Sequence, residues 1–177
     1  LFSSKDKKVF KVSVMRDKIV IPGVTSKLFT GGNTTLGYIS IATMGAETVD
    51  DFREKYTELV AAGAQGFIID VRGNGGGLLP VAADIASYFI PKDKIVTVTR
   101  YKSLPEEIYY SKGFAKTNYP VVVLIDGLSA SASEILAYAL KYQAGAKLIG
   151  TTSFGKGTIQ TLYTLPDNSS IKFTIGK

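Results

Sequence analysis

At 177 residues the chain has the length of a single domain, and an apolar fraction of 45% is enough to fill a hydrophobic core, which excludes a largely disordered chain. Histidine and cysteine are both absent, so a Ser-His-Asp triad, a cysteine nucleophile, a disulfide framework and a Cys/His zinc site are excluded. The net charge of +6 is scattered, with one local cluster at Lys5, Lys7 and Lys8 and no groove-reading motif beside it, so a nucleic-acid partner is not expected.

No apolar run approaches the roughly 18 residues that span a bilayer, so no transmembrane segment is expected in this chain. The chain opens without Met and inside a strand-like stretch, which reads as a piece excised from a longer protein. In that stretch Phe10, Val12 and Val14 alternate with polar residues and predict a half-buried strand, and Lys18 to Ile21 continues extended to Pro22. Gly31-Gly32-Asn33 predicts a turn. Gly37 to Ala42 predicts a strand with Tyr38, Ser40 and Ala42 on one face and Ile39 and Ile41 on the other.

Thr48 is placed to cap a helix whose apolar residues Val49, Phe52, Tyr56, Leu59 and Val60 recur at helical spacing, with Gly63 as its stop. Phe67 to Val71 predicts a buried strand running into the glycine loop Arg72-Gly73-Asn74-Gly75-Gly76-Gly77, followed by a helix over Pro80 to Phe89. Ile95 to Thr99 alternates as a strand, and the apolar run Val121 to Ile125 is of the kind found in a sheet covered on both faces. A third helix is predicted over Ser131 to Tyr142, then a short strand over Ala146 to Ile149. Ile159 to Leu165 and Ile171 to Ile175 predict a hairpin around Pro166 to Ser170. Alternating strands and helices predict an α/β domain.

Two segments carry the chemistry. Gly127-Leu128-Ser129-Ala130-Ser131-Ala132-Ser133-Glu134 sets serines between a strand and a helix N-terminus, where unpaired backbone N–H groups favour an anion; plain N-capping is the alternative reading. In Phe154-Gly155-Lys156-Gly157-Thr158-Ile159-Gln160 an extended backbone would point Lys156, Thr158 and Gln160 to one face. There Gln160 would hold the Lys156 amine, and burial under a sheet would favour its neutral form, as a base requires. A surface lysine in a glycine turn is the alternative. The N–H groups of Gly75-Gly76-Gly77 suit a partial oxyanion hole or a phosphate nest. Gly150 followed by Gly155-Lys156 approaches a P-loop, but Gly157 stands where that motif needs Ser or Thr and a strand pattern follows where it needs a helix.

Asp70-Val71-Arg72-Gly73-Asn74-Gly75-Gly76-Gly77, Ser129-Ala130-Ser131-Ala132-Ser133-Glu134 and Phe154-Gly155-Lys156-Gly157 with Gln160 together resemble the carboxy-terminal processing peptidases, or tail-specific proteases. The resemblance covers the chain from Val9 onward and implies an α/β core of the Clp protease and crotonase type with a C-terminal β-hairpin. It implies Ser131 as nucleophile, Lys156 as general base and Gln160 as its support, with the N–H groups of Ala132 and Gly77 forming the oxyanion hole. Asp70, Arg72 and Glu134 are implied to shape the site. Two positions depart from the family pattern: Gly75, where Pro is frequent, and Leu128-Ser129, where Gly-Ser or Gly-Thr is usual.

The activity so implied is hydrolysis of peptide bonds near the C-terminus of protein or peptide substrates with exposed tails, with no metal or other cofactor, outside the cytoplasm. The implied organisation is residues 1–15 as the remnant of a preceding PDZ domain and 16–177 as a catalytic core shortened at its C-terminal end. Oligomerisation is left open. The competing functions are a peptide-binding module that is inactive or depends on a PDZ domain, and a crotonase-like acyl-CoA enzyme.

Overall fold

The computed structural model describes residues 2–3, 5, 7–9, 11–13, 22–102, 104–114 and 118–177. Its centre is a five-stranded sheet in the order β3-β4-β5-β8-β9, formed by β3 (Val24–Gly31), β4 (Thr34–Ile41), β5 (Gly66–Asp70), β8 (Val121–Ile125) and β9 (Lys147–Gly150). β3 and β4 are an antiparallel hairpin, and β4, β5, β8 and β9 run parallel. At the hairpin tip Gly32 has φ 56°, a backbone that glycine adopts without cost and that matches the twist of the paired strands.

The chain begins with a short antiparallel pair, β1 (Phe2–Ser3) and β2 (Lys8–Val9). The half-buried strand expected through Phe10, Val12 and Val14 is corrected at Val12, which is 51% exposed and outside any strand. Phe10, Val14 and the extension Lys18 to Ile21 lie outside the described residues. β3 was not expected, because most of its side chains beyond Val24 face solvent and carry no apolar alternation.

Parallel pairing aligns Ile39, Ile69, Val123 and Leu148 in one row across the sheet. Beneath that row pack α1 (Thr48–Ala61), α2 (Leu79–Ala86) and α3 (Ala132–Gln143), whose Phe52, Ile85 and Leu136 are fully buried in the same core. An aromatic cluster closes one end, with Tyr56 stacked on Phe67 at 5.0 Å and Phe89 edge-on to Phe67 at 5.6 Å. Burial there pushes the Tyr56 hydroxyl up to about 12.

The opposite face of the sheet is only partly covered. Val121 and Val123 are buried while Val122, Leu124 and Ile125 are half-buried, which corrects the expectation of cover on both faces. Thr48 also differs from expectation. It is the first helical residue, and its Oγ1 accepts the Gly45 N–H at 2.9 Å and donates to Thr43 O at 3.1 Å, fastening the preceding loop in place of capping the helix.

β6 (Ile95–Thr99) pairs with β7 (Glu107–Tyr110) in a separate antiparallel sheet, and β10 (Ile159–Thr164) pairs with β11 (Ser170–Gly176) as the C-terminal hairpin. Tyr101 and Gly176 bridge the two small sheets. The placement of the site follows from the parallel order. Four neighbouring strands release their following loops at one end of the sheet, which brings Met44, the glycine loop, Ser131 and Lys156 to one place.

Candidate active site

The loop after β8 is built around two small polar residues. Asp126 Oδ1 accepts the N–H groups of Gly73 at 3.0 Å, Leu128 at 3.0 Å and Ser129 at 3.1 Å. These backbone donors, Gly73 first, hold the Asp126 carboxyl below its ordinary range. Ser129 Oγ donates to Val71 O at 2.7 Å and accepts the Asp126 N–H at 3.0 Å, so the turn is locked to the end of β5. Ser131 follows with φ 58° and ψ −119°, a strained backbone for a residue with a Cβ and one that costs about 1 to 3 kcal/mol. The helix starts one residue later than expected, at Ala132, with Ser131 at the N-cap.

Facing this turn is the glycine loop. Asn74 is fully buried; its Oδ1 accepts the Gly76 N–H at 2.8 Å and its Nδ2 donates to Ile41 O at 2.8 Å. Asn74 O in turn accepts the Ala130 N–H and the Ser133 Oγ, each at 3.0 Å. Gly76, at φ 95°, lies so close to the serine turn that an added Cβ would meet Ala130 O at 2.6 Å and Ala132 N at 2.9 Å. Gly77, at φ 149°, is pressed against Met44, whose O would stand 2.3 Å from a Cβ at that position. Met44 N–H donates to Gly76 O and Met44 O accepts from Leu78 N–H, pinning the loop on both sides of Gly77. Among the described residues, neither the Gly77 nor the Ala132 N–H finds an acceptor.

The segment after β9 closes the site. Phe154 N–H donates to Ser129 O at 3.0 Å, and the Glu134 carboxylate accepts three backbone N–H groups: Gly155 at 2.6 Å, Lys156 at 2.9 Å and Ser131 at 2.7 Å. Burial raises the Glu134 carboxyl, but the Ser153 hydroxyl and these backbone donors outweigh it and hold the group below its ordinary value. A single ionised carboxylate therefore joins the turn of Ser131 to the turn of Lys156.

Ser131, Lys156, Gln160 and Gly77 line one cavity of about 600 Å³. Thr97 to Thr99 of β6 and Leu78, Leu79 and Ile135 complete much of its wall. Ala132, next to Ser131, is buried and is not among the cavity's lining residues. Lys156 is half-buried and not enclosed under a sheet as expected, and the strand begins only at Ile159. Gly157 and Ile159 line the cavity alongside Lys156, Thr158 and Gln160, so the even spacing of an extended strand is not what gathers them.

Asp70 and Arg72 are not among the cavity's lining residues. Arg72 donates from Nε and Nη2 to the Asp70 carboxylate, at 3.0 Å and 2.6 Å, and Tyr38 Oη donates to it at 2.7 Å. Burial raises the Asp70 carboxyl; Arg72 and Tyr38 together outweigh that and leave it lowered. This group clasps β4, β5 and the start of the glycine loop from the half-covered face. Asn74, Asp126 and Met44 hold the site together without having been expected from the sequence. A polar Asp or Asn just past a strand is a signal for the first two, because such side chains fold back onto the turn's backbone; Met44 carries no such signal.

A family model described as peptidase family S41 matches residues 35–177. The chain is similar to the carboxy-terminal processing protease CtpA of Bacillus subtilis, 36% identical over 94% of this chain and 35% of that protein. To CtpB of the same organism it is 41% identical over 81% of this chain and 30% of that protein. The chain thus spans about a third of the length of these curated relatives. Among solved structures, the photosystem II D1 C-terminal processing protease superposes with a TM-score of 0.79 at 31% identity, over 92% of this chain and 45% of that one. The glycine loop, the serine turn and the lysine segment all lie within the matched residues, and the chain belongs to peptidase family S41.

Proposed function

We propose that this chain carries the catalytic centre of a serine peptidase that cuts protein substrates near an exposed C-terminal tail, with Ser131 as nucleophile and Lys156 as general base. The observation that carries the reading is that Ser131, Lys156, Gln160 and Gly77 line one cavity in a chain without histidine.

In the first step neutral Lys156 takes the Ser131 Oγ proton as Oγ bonds to the scissile carbonyl carbon, and the carbonyl electrons move onto its oxygen. The N–H groups of Ala132 and Gly77 stabilise that oxyanion, at about 3 kcal/mol per donor. Collapse of the tetrahedral intermediate breaks the C–N bond, and protonated Lys156 gives its proton to the departing amine. Water, deprotonated by Lys156, then attacks the acyl-enzyme and releases Ser131 with its proton restored. Gln160 acts on the Lys156 amine as a positioning residue.

An acyl-CoA reaction of the crotonase kind is disfavoured, because no aspartate or glutamate lines the cavity among the described residues and the Glu134 oxygens are taken by backbone N–H groups. An address outside the cytoplasm is part of the proposal and is checked by cell fractionation.

The deciding experiment incubates an unstructured peptide with the wild type, Ser131→Ala and Lys156→Ala, and reads the products by mass spectrometry. Cleavage by the wild type alone is expected, and full cleavage by either variant would overturn the dyad.

A further inference from the structure

Ser131 stands at the N-cap of α3, and the helix that leaves it carries an apolar stripe out of the cavity. Ile135, Tyr138 and Tyr142 recur at i, i+3 and i+7, so they lie on one face. Ile135 lines the cavity, while Tyr138 and Tyr142 lie beyond it and are 47% and 72% exposed. The core does not need these rings, because α3 buries Leu136, Ala139 and Leu140 on a different face. A solvent-facing helix row normally carries polar side chains, so two neighbouring tyrosines there call for a contact outside the core.

The two tyrosines form one ordered surface. Their rings are parallel within 10° with centroids 6.2 Å apart, and Lys141 Nζ stands 5.2 Å from the Tyr142 centroid. β6 runs beside the helix. Gln143 Nε2 donates to Ile95 O at 3.1 Å, which ties the end of α3 to the start of the strand whose Thr97, Val98 and Thr99 wall the cavity. Helix and strand thus carry both walls of the cavity in the same direction, and the stripe is continuous with the proposed site through Ile135.

A peptide cut near its end leaves only a short piece after the scissile bond, and the long remainder before that bond must leave the cavity across its rim. We propose that Tyr138 and Tyr142 form an exosite for this remainder, taking apolar or aromatic side chains on the N-terminal side of the cut. At about 1.5 Å per helical residue the two tyrosines lie about 10 and 16 Å along α3 from Ser131, which an extended chain spans in about three and five residues. The stripe therefore adds a sequence preference upstream of the bond, separate from any reading of the tail. This assignment rests on the peptidase reading.

The test uses two unstructured peptides with the same tail and the same residues around the cut. They differ only at positions about three to five residues before the bond, where one carries Leu and Phe and the other Ser. Cleavage is measured with the wild type, with Tyr138→Ala and Tyr142→Ala combined, and with Tyr138→Phe and Tyr142→Phe combined. Binding is measured by fluorescence anisotropy with Ser131→Ala, alone and together with the alanine pair. The wild type should favour the apolar peptide about tenfold, through KM more than kcat, as partial burial of two aromatic rings provides. That ratio should survive in the Phe pair and fall toward one in the Ala pair. Because the ratio is taken within each protein, a loss of stability cannot imitate the effect. A wild-type ratio of one, or a ratio unchanged in the Ala pair, would refute the exosite even with both peptides cut. Binding that prefers the apolar peptide with Ser131→Ala, and loses the preference in the alanine pair, would uphold the exosite even if the wild type cut neither peptide, and that result would count against the peptidase reading alone.

Discussion

Glu134 accepts the backbone N–H of Lys156 at 2.9 Å with the same carboxylate that holds the N–H of Ser131 at 2.7 Å. The two residues proposed to exchange a proton lie 25 positions apart in sequence (156 minus 131), on loops that follow different strands, and this carboxylate is their shared anchor. It acts through the backbone N–H groups of both residues.

Replacing Glu134 with Gln should therefore uncouple the two turns. An amide offers one acceptor oxygen and sets an NH2 group against N–H donors, so stability is expected to fall by about 2 kcal/mol, as for a lost hydrogen bond to a charged group. Peptide cleavage should fall at least tenfold, mainly in kcat, because positioning is lost while the cavity wall remains. Urea melts and steady-state kinetics check the two halves.

The same carboxylate gives an acid limb to stability. Its folded-state pKa is lowered, so the stabilisation is fully present above the ordinary value of 4.5 and is lost as pH falls through the lowered value. Asp70, lowered as well from 3.8, adds to the loss in the same direction. The urea midpoint should be flat from neutral pH to about 5 and drop steeply below about 4, with a shallower drop in Glu134→Gln. Equal slopes in the two proteins would contradict the assignment.

Ser131 should show a trade between stability and activity. Its φ of 58° suits glycine and strains any residue with a Cβ, so Ser131→Gly is expected to be more stable than Ser131→Ala by about 1 kcal/mol, with both inactive. Thermal melts of the two variants decide it.

Gly77→Ala should fail for the opposite reason. The new Cβ would stand 2.3 Å from Met44 O, so the loop must leave Met44 and carry the Gly77 N–H with it. The expected loss is about a hundredfold in kcat, the usual scale for one oxyanion donor, with stability reduced by more than about 2 kcal/mol. A fully active Gly77→Ala would remove Gly77 from the proposed mechanism.

Most of the regular elements were legible in the chain because their signals are local. The apolar run Val121–Ile125 and the alternation Ile95–Thr99 fall on strands of those same bounds, and the helical spacing of Phe52, Tyr56 and Leu59 falls on α1. β3 escaped because a strand at a sheet edge with a solvated face needs no apolar alternation, and its signal is the pairing with β4. Thr48 misled for a related reason: a hydroxyl before a helix satisfies whichever backbone group is nearest, and here that is Gly45.

By itself, the sequence determined what chemistry is available. The absence of histidine and cysteine leaves lysine, carboxylate, serine, tyrosine or a bound cofactor to carry proton traffic, and the glycine loop, the serine turn and the lysine segment name the family through residue identity alone. Only the tertiary structure decided how those segments meet. Parallel pairing of β4, β5, β8 and β9 delivers the loops to one end of the sheet, and Asn74, Asp126, Glu134 and Met44 join them through backbone hydrogen bonds between residues far apart in the chain. Such contacts leave no periodic trace in a sequence, because a backbone N–H or C=O is present at nearly every position and only its neighbours in space tell which ones are used.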